Sequence, residues 1–201
     1  MAGSIYISIA FVIGVLLGRM GVLPVDTLPP GMMEYVLFGL IFFVGISVGA
    51  NMEVWKIIKK MHVKIILLPL SVIIGTLAGS AAVSFVLERI SFSEALAVGA
   101  GFGYYSLSSV LIAQLDGEVL GMIAMLANLM REIFTLLASP LLARFFGRLA
   151  PIAAGGATAM DTTLPVITRF CGKEYTVFAI FSGVVLTLLV PLLIPFCLAW
   201  R

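Results

Sequence analysis

The sequence predicts an all-α integral membrane protein, a bundle of about five full transmembrane helices plus two broken or re-entrant segments. Three observations carry this. Of 201 residues, 62% are hydrophobic and 11% charged, and the mean hydropathy is +1.20; both lie outside the range of a soluble domain of this length. Several apolar stretches approach or exceed the roughly 20 residues that a helix needs to cross the hydrocarbon layer. Two further stretches of similar length are interrupted by glycine, proline, hydroxyls and a carboxylate.

In chain order, a first span is expected near residues 4–23. No basic segment precedes it and no small-x-small cleavage site follows, so it reads as retained. A polar turn with Asp26 and Pro29-Pro30 leads to a second span near 34–51, and a third runs from about Val63 to Leu87. A glycine-rich stretch near 94–114 precedes a strong span from about Val119 to Ala143. A polar-interrupted stretch near 150–169 and a last span near 175–199 complete the chain. No soluble domain or long linker separates them, so residues 1–201 read as one transmembrane domain.

Charge orients the bundle. Lys56, Lys59, Lys60 and Lys64 lie between the second and third spans, a loop that the positive-inside rule assigns to the cytoplasm along with the amino terminus. If the stretch 94–114 dips in and returns, Arg144 and Arg148 also lie inside, the preferred arrangement; the same logic applied to Arg169 and Lys173 makes 150–169 re-entrant or broken. The carboxyl terminus falls outside whether both stretches cross or neither does.

The two odd stretches hold most of the chemistry. GAGFGYYSLSS (99–109) sets three glycines beside Tyr104, Tyr105, Ser106, Ser108 and Ser109; GGATAMDTTLP (155–165) joins two glycines to Thr158, Asp161, Thr162, Thr163 and a proline. Neither suits a continuous lipid-facing helix, because irregular backbone at membrane depth survives only inside protein or along a wet cavity. Paired interruptions of this kind point to a transporter's binding site; the alternative is a pair of ordinary surface loops.

ANLMREIF (127–134) places charge in the strong span. Asn128, Arg131, Glu132, Thr135 and Ser139 follow helical spacing and form one polar stripe. A charge at the bilayer centre costs at least about 2.5 kcal/mol, so the stripe must face protein or a water-filled cavity. Arg131 and Glu132 are adjacent, about 100° apart around the axis, and each needs another partner. Asp161 is the candidate partner of Arg131, which leaves Glu132 to work. The competing reading is a buried ion pair that fixes helix register.

Together GYYSLSS (103–109), NLMRE (128–132) and GATAMDTTLP (156–165), in that order, resemble the motifs of the LysO family of lysine exporters across most of the chain. The resemblance implies export of L-lysine across the cytoplasmic (inner) membrane, with Glu132 and Asp161 matching the family's acids in those motifs. Full-length members look like this chain preceded by further helices that contribute another membrane acid. The reading that follows is a proton-exchanging antiporter in which Glu132, with Asp161, Arg131 and Asn128, couples substrate to protons. Tyr104, Tyr105, Ser106, Ser108, Ser109, Thr158, Thr162 and Thr163 would line the pocket, and Arg131 with the helix N-termini would receive the amino-acid carboxylate. Asp161 either restrains Arg131 or meets a substrate ammonium. A gated channel, or a non-transporting subunit of a two-chain transporter for another small cation or amino acid, is the alternative.

Neither a metal nor a cofactor is expected. An enzyme is disfavoured too: no nucleophile-elbow or zinc-binding helix motif is present, and the single histidine, His62, sits in the basic loop. The small-residue pairs Gly14/Gly18, Gly45/Gly49 and Gly75/Gly79 read as helix-packing contacts. So few spans would leave one side of the stripe Asn128, Glu132, Thr135 facing lipid. An assembly is therefore expected, either a homodimer or a complex with a small separate membrane chain supplying the missing helices. Nothing in the charge distribution suggests nucleic-acid binding.

Overall fold

The computed structural model describes residues 64–87 and 89–200, with single residues and one short stretch before them. The chain divides into two units, Met1–Phe38 and Gly39–Arg201. In the first, Ile13 and residues 16–19 are helical. All elements named below belong to the second. The expected spans 4–23 and 34–51 and the basic loop with His62 lie, for the most part, outside the described residues.

Every described element is helical, as expected of an all-α membrane protein. The helices are α1 (Lys64–Ser84), α2 (Phe92–Gly99), α3 (Tyr105–Asp116), α4 (Glu118–Phe145), α5 (Ala150–Gly155), α6 (Leu164–Cys171) and α7 (Thr176–Leu198). Two 3-10 turns, Gly156–Met160 and Lys173–Tyr175, precede α6 and α7. Among the described residues three helices are long and apolar enough to cross a membrane: Ile65–Ser84, Glu118–Phe145 and Lys173–Leu198, the last including its 3-10 turn. The 28 residues of α4 span about 42 Å, more than the hydrocarbon thickness, so it tilts or emerges at its ends.

Between these spans the two odd stretches break at mid-depth, as their glycines require, and contacts along α4 show where each half goes. The start of α1 shares a surface groove with the end of α4 (Leu67, Leu68, Phe146), Thr76 meets Arg131 at mid-helix, and Val83 and Leu87 lie beside Ile123 near the start of α4. Thus α1 and α4 are antiparallel. Phe92 at the start of α2 stacks on Phe85 with ring centroids 6.4 Å apart. Val98 near its end reaches Asn128, halfway along α4. From there α3 goes back: Ser108 is level with Asn128, and Gly121 lets Ala113 and the Ser109 carbonyl approach before Gly117 turns the chain into α4. The stretch 92–116 is a helical hairpin that leaves by the side it entered.

The second hairpin mirrors this from the other end of α4. Ala150 begins beside Phe146, and the carbonyls of Ala153 and Ala154 reach mid-depth at Arg131. After the 3-10 turn, α6 returns so that Ile167 and Cys171 share an apolar cluster with Ile152, Leu68 and Ala179. An exposed ion pair, Arg148–Glu174 at 3.0 Å, closes the hairpin's base. Tip meets tip in the middle, where the Ala157 amide donates to the Phe102 carbonyl at 2.9 Å. Helix α7 passes alongside, with Gly183 against Met160 and the Ala157 carbonyl.

Candidate functional site

Two side chains of α4 hold the hairpin tips, one for each. Asn128, 4% exposed, accepts a 2.7 Å hydrogen bond from the Gly103 amide. It donates to the carbonyls of Val98 (3.2 Å) and Ala124 (2.9 Å) and to Ser108 Oγ (3.4 Å). Both arms of the first hairpin are thereby tied to α4 through one amide. Buried amides are retained where all their hydrogen bonds are made, and this one meets that condition.

Arg131 does the same for the second hairpin. Its Nε donates to the Ala154 carbonyl at 2.8 Å, Nη2 to the Ala153 carbonyl at 3.0 Å and Nη1 to Thr76 Oγ1 on α1 at 3.1 Å. Those carbonyls end α5, where a helix leaves acceptors unpaired and its dipole favours a cation. The expected pairing of Arg131 with Asp161 is therefore corrected: among the described residues the salt bridge within 4 Å is Arg148–Glu174. Asp161 instead accepts from the Thr162 amide at 2.6 Å and from Thr162 Oγ1 at 3.4 Å, in the turn before α6. Three of the five guanidinium N–H groups are engaged by oxygens of α1 and α5.

Glu132, the next residue around the helix, is 8% exposed, and its Oε2 has no hydrogen-bond partner. It opens into a cavity of about 200 Å³ between the hairpins, lined also by Gly103, Tyr104, Tyr105, Ser106, Thr158, Asp161 and Thr162. Of the residues singled out in the sequence, these come together. The others fall elsewhere. Asn128 and Arg131 line a larger groove of about 440 Å³ between α1, α2 and α4. Ser108 is buried against Asn128, Ser109 edges an open groove with Glu118 and Met122, and Thr163 is buried beside Thr158. The stripe as a whole is covered by its own chain: Thr135 and Ser139 are fully buried, with hydroxyls turned to the Arg131 and Thr135 carbonyls. Lipid exposure of Asn128, Glu132 and Thr135, expected for so small a bundle, does not occur because the hairpins fill that side.

Sequence reasoning missed Thr76, whose hydroxyl carries no motif, and the backbone of the tips. Phe102 is fully buried and has φ 47°, the one non-glycine residue at positive φ among the described residues. Such strain persists only where surrounding structure enforces it, commonly at functional sites. Gly156, at φ 62°, faces it: a Cβ there would overlap the Phe102 carbonyl oxygen and press on the Arg131 guanidinium. Gly156→Val is expected to destabilise the protein by more than about 1 kcal/mol through strain alone. The check is thermal unfolding of the purified protein in detergent. A variant that melts with the wild type shows that the tips are not packed this way.

The sequence profile of the family described as lysine exporter LysO matches residues 8–198. The chain belongs to the LysO lysine exporter family. It is 37% identical over 164 residues to the lysine exporter LysO of Escherichia coli K12, covering 81% of this chain and 54% of that protein. It is 38% identical over 189 residues to a Haemophilus influenzae protein named, provisionally, a lysine exporter, covering 93% of this chain and 94% of that one. The LysO-family chain thus spans about half the length of the first relative and nearly all of the second. No solved structure matches it. The buried stripe and both hairpin tips fall within the matched region, so the site described above belongs to the family's shared part.

Proposed function

We propose that this chain exports L-lysine by exchange with protons, with Glu132 alternately holding a substrate ammonium and a proton. One observation carries the reading: a carboxylate 8% exposed, with an unpartnered oxygen, opens into a cavity between two opposed hairpin tips. Ionisable groups at membrane depth, facing a cavity and unpaired, are the usual markers of a substrate or proton path. The relatives' names supply the substrate. Each hairpin can act as the gate for its own side, since both tips line the cavity, and alternating access by such elements suits a carrier better than an open pore.

The test is transport by purified protein in proteoliposomes. Labelled lysine should move against its own gradient when a proton gradient is imposed, and internal pH should change with lysine supply. Passive, uncoupled flux means a channel; no flux of lysine at all removes the reading.

We also propose an orientation from the distribution of charge. Lys64, Arg144, Arg148, Arg169 and Lys173 cluster at the end of the bundle where the second hairpin is based, whereas Glu94, Asp116 and Glu118 lie with Arg89 at the other. The positive-inside rule places the former in the cytoplasm, and with it the amino terminus; the carboxyl terminus lies outside. Single cysteines at Arg148 and Glu118 should be labelled by a membrane-impermeant maleimide only from the inside and only from the outside, respectively. The reverse pattern overturns the orientation.

We also infer an assembly, with a second copy or a small membrane chain seated in the groove lined by Gly75, Gly79, Val83 and Ile123. Supporting it is close approach: no described residue lies within 4 Å of a Cβ placed on Gly75 or Gly79, and such small-residue faces accept a neighbouring helix. A monomeric mass in lipid nanodiscs at full transport rate removes that part.

A further inference from the structure

Resting on the lysine-export reading, the geometry points to a mode of recognition: we propose that the cavity at the hairpin tips binds the amino acid end-on, its carboxylate at the N-terminus of α3 and its side-chain ammonium at Asp161. Helix α3 is 12 residues long and begins at the cavity, with no side chain capping its first turn. The amides of Ser106 and Leu107 have no acceptor within the helix. At mid-membrane, away from water, such a terminus is an anion site in want of an anion. The second observation is Glu132, more than nine-tenths buried and unpartnered in the same cavity. An acid beside an unfilled anion site suits a ligand with a positive group next to a negative one, which is the α-carbon end of an amino acid.

Two findings settle the remaining assignments. Arg131, the other candidate for the carboxylate, has three of its five N–H groups engaged by Ala153, Ala154 and Thr76 and lines a different groove. Asp161, not paired with Arg131 and accepting hydrogen bonds from its neighbour Thr162, is exposed on the cavity wall contributed by the second hairpin. One hairpin thus reads the carboxylate common to all amino acids, and the other reads the basic side chain. Asp161 is a specificity-determining residue.

The experiment uses competition against labelled lysine in proteoliposomes of the whole chain. Cadaverine lacks the carboxylate and norleucine lacks the side-chain ammonium. In the wild type both should compete at least on the order of 10-fold more weakly than lysine, the usual worth of one charge-assisted contact. In Asp161→Asn lysine should lose its advantage over norleucine while cadaverine stays weak. Cadaverine competing as well as lysine in the wild type overturns the carboxylate site, whatever the variant does. Retention of the lysine preference in Asp161→Asn overturns the role of Asp161. If Asp161→Asn does not fold, thermal stabilisation of the wild type by lysine but not by norleucine supports the side-chain reading, and equal stabilisation overturns it. Wild-type protein that moves no lysine but is thermally stabilised by neutral amino acids sinks the lysine reading and the Asp161 assignment together and leaves the carboxylate site standing.

Discussion

Replacing Glu132 with glutamine stops lysine-coupled proton movement while the protein still folds. The substitution keeps shape and removes only the capacity to hold a proton or pair with an ammonium. Since Oε2 makes no hydrogen bond to the described residues, no contact seen among them is lost, and the amide sits in the space the carboxylate vacates. The missing charge-assisted contact is worth about 1.5–3 kcal/mol, so lysine efflux from proteoliposomes should fall by roughly 100-fold with no change in the size-exclusion profile. Coupled transport at the wild-type rate in this variant removes Glu132 from the mechanism. Under the proposed exchange the charges also balance. Arg131, Glu132, Asp161 and a bound lysine cation sum to zero, and so do Arg131, Asp161 and a protonated Glu132, so neither loaded form carries net charge across the low-dielectric layer.

Arg131→Lys disables the protein in a different way, by releasing the second hairpin. The guanidinium reaches Ala153, Ala154 and Thr76 in three directions from one plane. An ammonium on a shorter stem is a point charge that cannot reproduce that fork. At least one buried carbonyl is left without a donor, at about 1–3 kcal/mol, and the tip held by Gly156 moves away from Phe102. Expected outcomes are a lower unfolding temperature in detergent and easier labelling of a cysteine placed at Ala159, now fully buried. Glu132→Gln should show neither effect. If Arg131→Lys loses transport but keeps wild-type stability and protection at that position, Arg131 belongs to the substrate site and not to the scaffold.

The sequence carried the architecture well where a single physical rule decides. Length and hydropathy give the spans, and the observed α1, α4 and α7 begin and end within a few residues of the expected 63–87, 119–143 and 175–199. The breaks at 99–104 and 155–163 fall where glycines cluster, at 99, 101 and 103 and at 155 and 156, because glycine weakens a helix interior. Partnership is a different matter. Nothing in the spacing of Arg131 reveals that its acceptors are carbonyls, since a backbone oxygen has no sequence signature; a search among side chains can only return another side chain, here Asp161. Thr76 was invisible for the same reason, as was the division of the polar residues between two cavities, which depends on which side of α4 each hairpin arm descends. The expected exposure of the stripe to lipid failed because counting spans ignores how much volume a re-entrant hairpin fills.

One feature of the architecture reaches beyond the site. A span followed by a hairpin, α1 with α2–α3, is succeeded by another span and hairpin, α4 with α5–α6, entering from the opposite side of the bundle and touching the first at Phe102 and Ala157. This is the topology of an inverted repeat. In such a molecule the conformations open to either side are near mirror equivalents in mechanism: whatever the first half does to expose the cavity outward, the second half can do to expose it inward. The halves are not equal in chemistry, however, since only α4 contributes Asn128, Arg131 and Glu132, and its polar stripe passes between both tips. Symmetry supplies the two directions of opening, and the single charged helix between them keeps the same carboxylate in reach of each.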